Sequence, residues 1–397
     1  MSVDKVPFCE PWITEEDKNA VIGALDSRWL TGGPRSADFE RLFAEFVGVK
    51  HAIACNSCTA ALHVVMRALD IGPSDEVVLP VFTFAATANA PLFVGAKPVL
   101  ADIDEHNLNL SAADLQKRIT AHTKAIIPVH YAGQPCDMKE ITEIAKDHNL
   151  YIVEDCAHSL GSSYMGRRTG GIGVAGCFSF YPTKGITTLE GGMITTNDDE
   201  IARKARLLTS HCMTNTASER ETLGRWSYDV IDLGYNYRMT EPQAALGISQ
   251  LRRVDEMNNK RVIAAHEYDR ELEDIQGVHV NEIGKNRTHV YHLYVVRIVE
   301  QQYGMSRDDL FKRLCGRGIG LSVHYTPLHL LSYYRQKLGY SCGAFPVAER
   351  AYREVLSLPI FPKITKEQIH FVAESMRGFS RTSRGAGIGK QRVTPKI

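Results

Sequence analysis

Leu150–Asp155, LYIVED, is a short apolar run that ends in two carboxylates. It reads as a buried strand, and Asp155 stands at the strand's carboxyl end. That is where open α/β sheets bind ligands, in the crevice beyond the strand ends. Taken alone, Asp155 fits a helix cap or a turn equally well. Three similar runs precede it: EVVLP (76–80), PVLADID (98–104) and AIIPVH (125–130). Helical patterns separate them, among them SAADLQKRI (111–119) and DMKEITEIAKDHN (137–149). Strands alternating with helices predict an α/β fold with a mostly parallel central sheet covered on both faces.

The flanks extend this reading. ADFERLFAEFVG (37–48) places Phe39, Leu42, Phe43 and Phe46 on one helical face. An earlier helix begins at Thr14, with Asp17 completing a capping-box pattern. GCFSFYP (176–182) and GGMITTN (191–197) are two further strands, followed by helical DEIARKARLL (199–208). The polar stretch Thr214–Asp229 reads as a long loop. One long helical stretch is expected from Glu241 towards Leu272. After it come a strand in HVYHLYVVRI (289–298) and helices in SRDDLFKRLCGRG (306–318), PVAERAYREVLSL (346–358) and TKEQIHFVAESMRG (365–378). The division expected is a large domain over 1–240, a long helix with a small C-terminal α/β domain over 241–376, and a flexible basic tail over 377–397.

Lys plus Arg and Asp plus Glu both number 46, so the net charge is zero. The basic residues Arg377, Arg381, Arg384, Lys390, Arg392 and Lys396 cluster in the tail, which leaves the body slightly acidic. That balance argues against a nucleic-acid-binding body. With no apolar run of membrane-spanning length and no hydrophobic signal core, a cytoplasmic chain without membrane spans is expected. The nine cysteines include one C-x-x-C pair, Cys55 and Cys58. A zinc site would want a second such pair, so no metal is expected, and reduced thiols are the plain reading.

Lys184 lies in SFYPTKGITTLEGG (179–192), behind an aromatic run and beside a Thr and a Pro. By itself it is a surface ammonium. In combination it gains meaning. Pyridoxal phosphate (PLP) chemistry needs a lysine for a Schiff base, an acid beside the pyridine nitrogen, donors for the phosphate and a flat group against the ring. Asp155 offers the acid. Ser57 and Thr59 in CNSCTAALH (55–63) open a helix whose first amides are free donors. Phe84, after EVVLP, offers the flat group or an ordinary core residue, and His158 is within reach or simply structural.

SFYPTKGITTLEGG, VEDCAHSLG, NSCTAALH, TFAATANAPLFVGAKPVLADID and LGYNYRMTEPQAALGISQL resemble, in order, the nucleotide-sugar aminotransferases of the DegT type. The resemblance spans residues 8 to 375. It implies the fold-type I architecture of PLP enzymes and a homodimer with active sites at its interface. It makes Lys184 the Schiff-base lysine, Asp155 the partner of the pyridine nitrogen, His158 a neighbour of the phenolic oxygen and Phe84 the stacking residue. Ser57, Cys58, Thr59 and Ser179 match the phosphate cradle, and Asn236 a residue reaching the phosphate from the other subunit. Cys58 departs from the family's common Gly, which matters only if that position needs positive φ. For the sugar nucleotide, SRWLTGGP (27–34) suggests Trp29 and Thr31, and VHYTPLH (323–329) suggests His324, Tyr325 and His329; packing is the plain alternative for the last three. The activity implied is transfer of an amino group from glutamate or glutamine to a keto group of a nucleotide-linked deoxysugar. A keto-cyclitol acceptor is the alternative. A PLP-dependent sugar dehydratase of similar sequence carries His in place of the lysine, which Lys184 argues against. A non-catalytic PLP-binding regulator would want a fused DNA-binding segment or a damaged pocket.

Overall fold

A computed structural model describes residues 5–215 and 226–380. The strands are β1 (His51–Cys55), β2 (Glu76–Pro80), β3 (Lys97–Ala101), β4 (Thr123–Ile126), β5 (Tyr151–Asp155), β6 (Ser163–Tyr164), β7 (Arg167–Arg168), β8 (Ala175–Ser179), β9 (Gly192–Thr196), β10 (Val278–Val280), β11 (Tyr294–Ile298) and β12 (Val355–Leu358). Seven of them form one sheet in the order β1-β9-β8-β5-β4-β2-β3. Only β9 runs against its neighbours, so β1, β2, β5 and β8 all end on the same edge.

Period-two alternation decides which face each strand residue serves. In β1, Ile53 and Cys55 join the core under the helix Cys58–Ala68, while Ala52 and Ala54 join the core under Pro34–Val47. In β8, Ala175 and Cys177 take the first side and Phe178 the second. Both faces are therefore dry, as a parallel sheet requires. The helix Glu15–Leu25 starts as expected: Thr14 and Asp17 form a reciprocal capping box.

The C-terminal part holds the antiparallel sheet β10-β11-β12. Its core includes Val6, whose backbone pairs with the chain at Gly318 and Gly320. Three expectations need correction here. The long helix is two, Glu241–Leu251 and Val254–Leu272. The break falls at Arg253, whose guanidinium reaches the buried Asp17 at 2.6 Å. PVAERAYREVLSL is helical only to Glu354; VLSL is the buried strand β12, paired with β11. Arg377, expected in the tail, ends the helix Lys366–Arg377 and pairs with Asp274. The rest of the tail, from 381, and residues 216–225 of the polar loop lie outside the described residues. The ends of that loop meet, with Thr214 N donating to Asp229 O. No helix among the described residues is long and apolar enough to cross a membrane.

Candidate active site

At the shared strand edge, four connections converge: Asn56–Cys58 after β1, Val81–Phe84 after β2, Cys156–His158 after β5 and Phe180–Lys184 after β8. Ser57 caps the helix Cys58–Ala68, its hydroxyl accepting from Ala60 N at 3.1 Å. Cys58 opens that helix with ordinary backbone geometry and is absent from the residues with positive φ, so the Gly it replaces is not required for conformation. Gly192, where β9 begins, is required: a Cβ there would lie 2.5 Å from the Ser57 carbonyl. Thr59 and Ser179 are half-buried at the same edge, and the Ser179 hydroxyl accepts from Tyr181 N at 3.5 Å.

Asp155 is buried. Its carboxylate accepts from Thr87 Oγ1 at 2.8 Å and from Ala157 N at 3.1 Å, and Thr83 braces Thr87 at 2.8 Å. Burial raises its pKa, and these bonds together with nearby Lys184 offset that only in part. Lys184 is half-buried by exposure, and desolvation lowers its ammonium pKa from 10.5 to about 8, against the opposing pull of Cys58, Asp155 and Cys9. Arg261, buried on the helix Val254–Leu272, donates to the Lys184 carbonyl at 3.4 Å. Phe84 leaves 62% of its surface exposed over this edge, and its ring borders Tyr325 at 6.2 Å.

His158 is buried, and its Nε2 lies 2.9 Å from the Tyr325 hydroxyl. Burial, helped by the charge of Lys184, holds the imidazole neutral. His324 is half-buried, bonded through Nδ1 to Ser357 Oγ at 2.9 Å and stacked on Phe8. Burial and Lys184 lower its pKa to about 4. The Tyr131 hydroxyl donates to the His324 carbonyl at 2.5 Å, tying this segment to the large sheet.

Other expected residues lie elsewhere. His329 is fully buried, pairs with Glu349 at 2.8 Å and packs on Phe345, so packing is what the fold uses it for. Trp29 and Thr31 sit on the loop before Pro34–Val47. Thr31 bridges Thr240 and lines a cleft of about 310 Å³ with Arg206 and Arg238. Asn236 is exposed, and its carbonyl accepts from Asn56 Nδ2 at 3.5 Å within the same chain. Glu190, in the LEGG turn, contributes a carbonyl that accepts from Gln243 Nε2 at 2.7 Å.

Sequence reasoning missed Thr83, Thr87, Arg261, Tyr131 and His292. The i, i+4 spacing of Thr83 and Thr87 beside a strand end was a usable signal; the others join the site only through folding. Among the described residues, His130, Glu154 and Cys156 bring three metal-ligating groups together. Two of the three are already committed: Glu154 accepts four hydrogen bonds, and His130 Nδ1 accepts from Cys136 N.

A lysine whose pKa is lowered to about 8, near a buried, sparsely bonded aspartate, a helix N-terminus and an exposed aromatic ring, can hold a flat anionic cofactor and move protons. Comparisons with known proteins agree. The chain is 42% identical over 374 residues to the spore coat polysaccharide biosynthesis protein SpsC of Bacillus subtilis, covering 94% of this chain and 96% of SpsC. Among solved structures, Helicobacter pylori PseC, an aminotransferase involved in the biosynthesis of pseudoaminic acid, superposes with a TM-score of 0.89 at 33% identity, over 95% of this chain and 100% of PseC. The PLP form of Spr1654 from Streptococcus pneumoniae superposes with a TM-score of 0.88 at 30% identity, over 95% of this chain and 99% of that one. The model of the DegT/DnrJ/EryC1/StrS aminotransferase family matches residues 11–377, and the chain belongs to that family.

Proposed function

We propose that this protein is a PLP-dependent sugar aminotransferase. It moves an amino group from glutamate or glutamine to a keto group of a nucleotide-linked deoxysugar. The observation that carries the reading is the meeting of Lys184, Asp155, Phe84 and the helix start at Ser57 on one strand edge. The residues present fit PLP. Asp155 is buried and accepts two hydrogen bonds among the described residues, so it has lone pairs left for a protonated ring nitrogen. The exposed Phe84 ring gains by being covered.

PLP, when bound, supplies the electron sink for the charge left on carbon as its proton departs. Everything else falls to the chain. Ser57, Cys58 and Thr59 at the helix start, with the Ser179 hydroxyl, hold the phosphate. Lys184 Nζ anchors the cofactor. As a free amine it would hold and move the proton lost by the amino donor; a pKa near 8 keeps part of it neutral at neutral pH. Asp155 keeps the ring nitrogen protonated. His158, neutral, would lie on the side of the phenolic oxygen. His324, with Trp29 and Thr31, is assigned to the nucleotide sugar, while Tyr325, the other candidate on its segment, bonds to His158 at the Lys184 pocket.

A homodimer is proposed on the row Trp226, Tyr228, Val230, Ile231 and Leu233, whose large apolar side chains are exposed, Trp226 at 89%. Asn236 would reach the partner's phosphate from the end of that row. The nine cysteines, all free thiols, support a reducing compartment such as the cytoplasm. A screen of keto nucleotide-sugars with glutamate and glutamine, read by product mass and NMR, tests the reading. Turnover of cyclic keto-alcohols alone would overturn the nucleotide-sugar assignment.

A further inference from the structure

His158 and Tyr325 come from distant parts of the chain, one after β5 and the other on the segment leading into β12's neighbourhood. Their hydrogen bond, 2.9 Å from Tyr325 Oη to His158 Nε2, joins rings that lie near parallel at 6.0 Å. The Tyr325 ring also borders Phe84. His158 Nδ1 is buried and meets no partner among the described residues. Its ring lies 4.4 Å from that of His292, whose Nδ1 is unmet as well. Lys184, His292 and His324 face His158 from three elements, and Asp155 faces Tyr325. Burial, with the charge of Lys184, keeps the imidazole neutral, so it carries one proton.

The position of that proton follows from the contacts. On Nδ1, a buried N–H would have no acceptor. On Nε2, it is donated to the Tyr325 oxygen, and only a lone pair goes unmet, which protein interiors tolerate better. Tyr325 then accepts a hydrogen bond from the histidine N–H and keeps its own O–H for a second acceptor. We propose that Tyr325 is a positioning residue: it fixes His158 in the Nε2–H tautomer and leaves its hydroxyl proton for an acceptor oxygen of the molecule held in the Lys184 pocket. The second half of this inference rests on the cofactor reading above; the first half does not.

The test has two arms. In cofactor-free protein labelled with 15N at histidine, long-range nitrogen–proton spectra report the His158 tautomer. The expected result is Nε2–H, unchanged between about pH 6 and 8 because the ring does not charge there. In Tyr325→Phe, the pattern shifts or becomes a mixture. Finding Nδ1–H in the unaltered protein overturns the proposal without need of a variant. In PLP-loaded protein, removing a donor makes an anionic acceptor beside the lysine amine more basic. The pH midpoint of the visible absorbance change then rises by about one unit in Tyr325→Phe. An unmoved tautomer together with an unmoved midpoint overturns the proposal. If no visible band forms at all, the cofactor reading has failed, and the tautomer alone decides for or against Tyr325.

Discussion

Glu154 and Asp155 are adjacent on β5, both buried and both acidic, yet their surroundings are opposite. Successive strand residues leave on opposite faces. Glu154 meets the 170–173 loop: Ile172 N and Gly173 N donate to one oxygen at 2.7 and 2.8 Å, Gly170 N and His130 Nε2 to the other at 2.9 and 3.0 Å. Burial alone would raise its pKa, but His130 and the backbone amides outweigh burial and lower it. Asp155, with two bonds, stays raised. A saturated carboxylate holds a fold; a sparsely bonded one keeps capacity for a ligand.

The contrast is exposed to mutation. Lys184→Ala should lower transamination by about a thousandfold or more and abolish borohydride labelling of the protein. Full turnover in that variant would end the mechanism. Asp155→Asn should cost about a hundredfold in kcat while melting temperature holds or rises, because a poorly paired buried charge is removed. Glu154→Gln should do the reverse. It should lose about 1–3 kcal/mol of stability, read by denaturant unfolding, because amides are left facing an NH2 group, while activity per folded molecule stays close to normal. If instead Glu154→Gln spares stability and removes activity, the roles assigned to the two carboxylates are exchanged.

Their pH linkage should differ in sign. The lowered pKa of Glu154 contributes stability above the unfolded carboxylate range, near 4.3, and that stability is lost as pH falls through the folded value. The raised pKa of Asp155 works the other way: stability is full when it is protonated and declines as pH rises through its folded value. Subtracting the unfolding curves of the two Asn and Gln variants from that of the unaltered protein separates them. The smallest effect concerns Lys184. In cofactor-free protein its acylation should show a midpoint near pH 8, shifted lower in Asp155→Asn because the carboxylate supports the ammonium. A midpoint at the ordinary lysine value would remove desolvation as the tuning device.

Much of this was legible along the chain because its causes are local. Strand alternation, the Thr14–Asp17 box and the Ser57 cap involve residues a few positions apart. The same holds for Asp155 at a strand end, and for Lys184 five residues after Ser179. The break at Arg253 and the switch from helix to strand at Val355 were not legible: each depends on a remote partner, the Asp17 carboxylate and the edge of β11.

Partner choice across the fold shows the limit most clearly. His158 and His329 look alike in sequence, one three residues beyond Asp155 and the other four beyond Tyr325. Packing gave His158 to Tyr325, 167 positions away, at the pocket, and gave His329 to Glu349 in the interior. Backbone periodicity and capping are set by short-range sterics and hydrogen bonding, so residue order alone carries them. Which side chains meet across a sheet depends on strand order, register and close packing, and those exist only once the whole chain has collapsed onto one core.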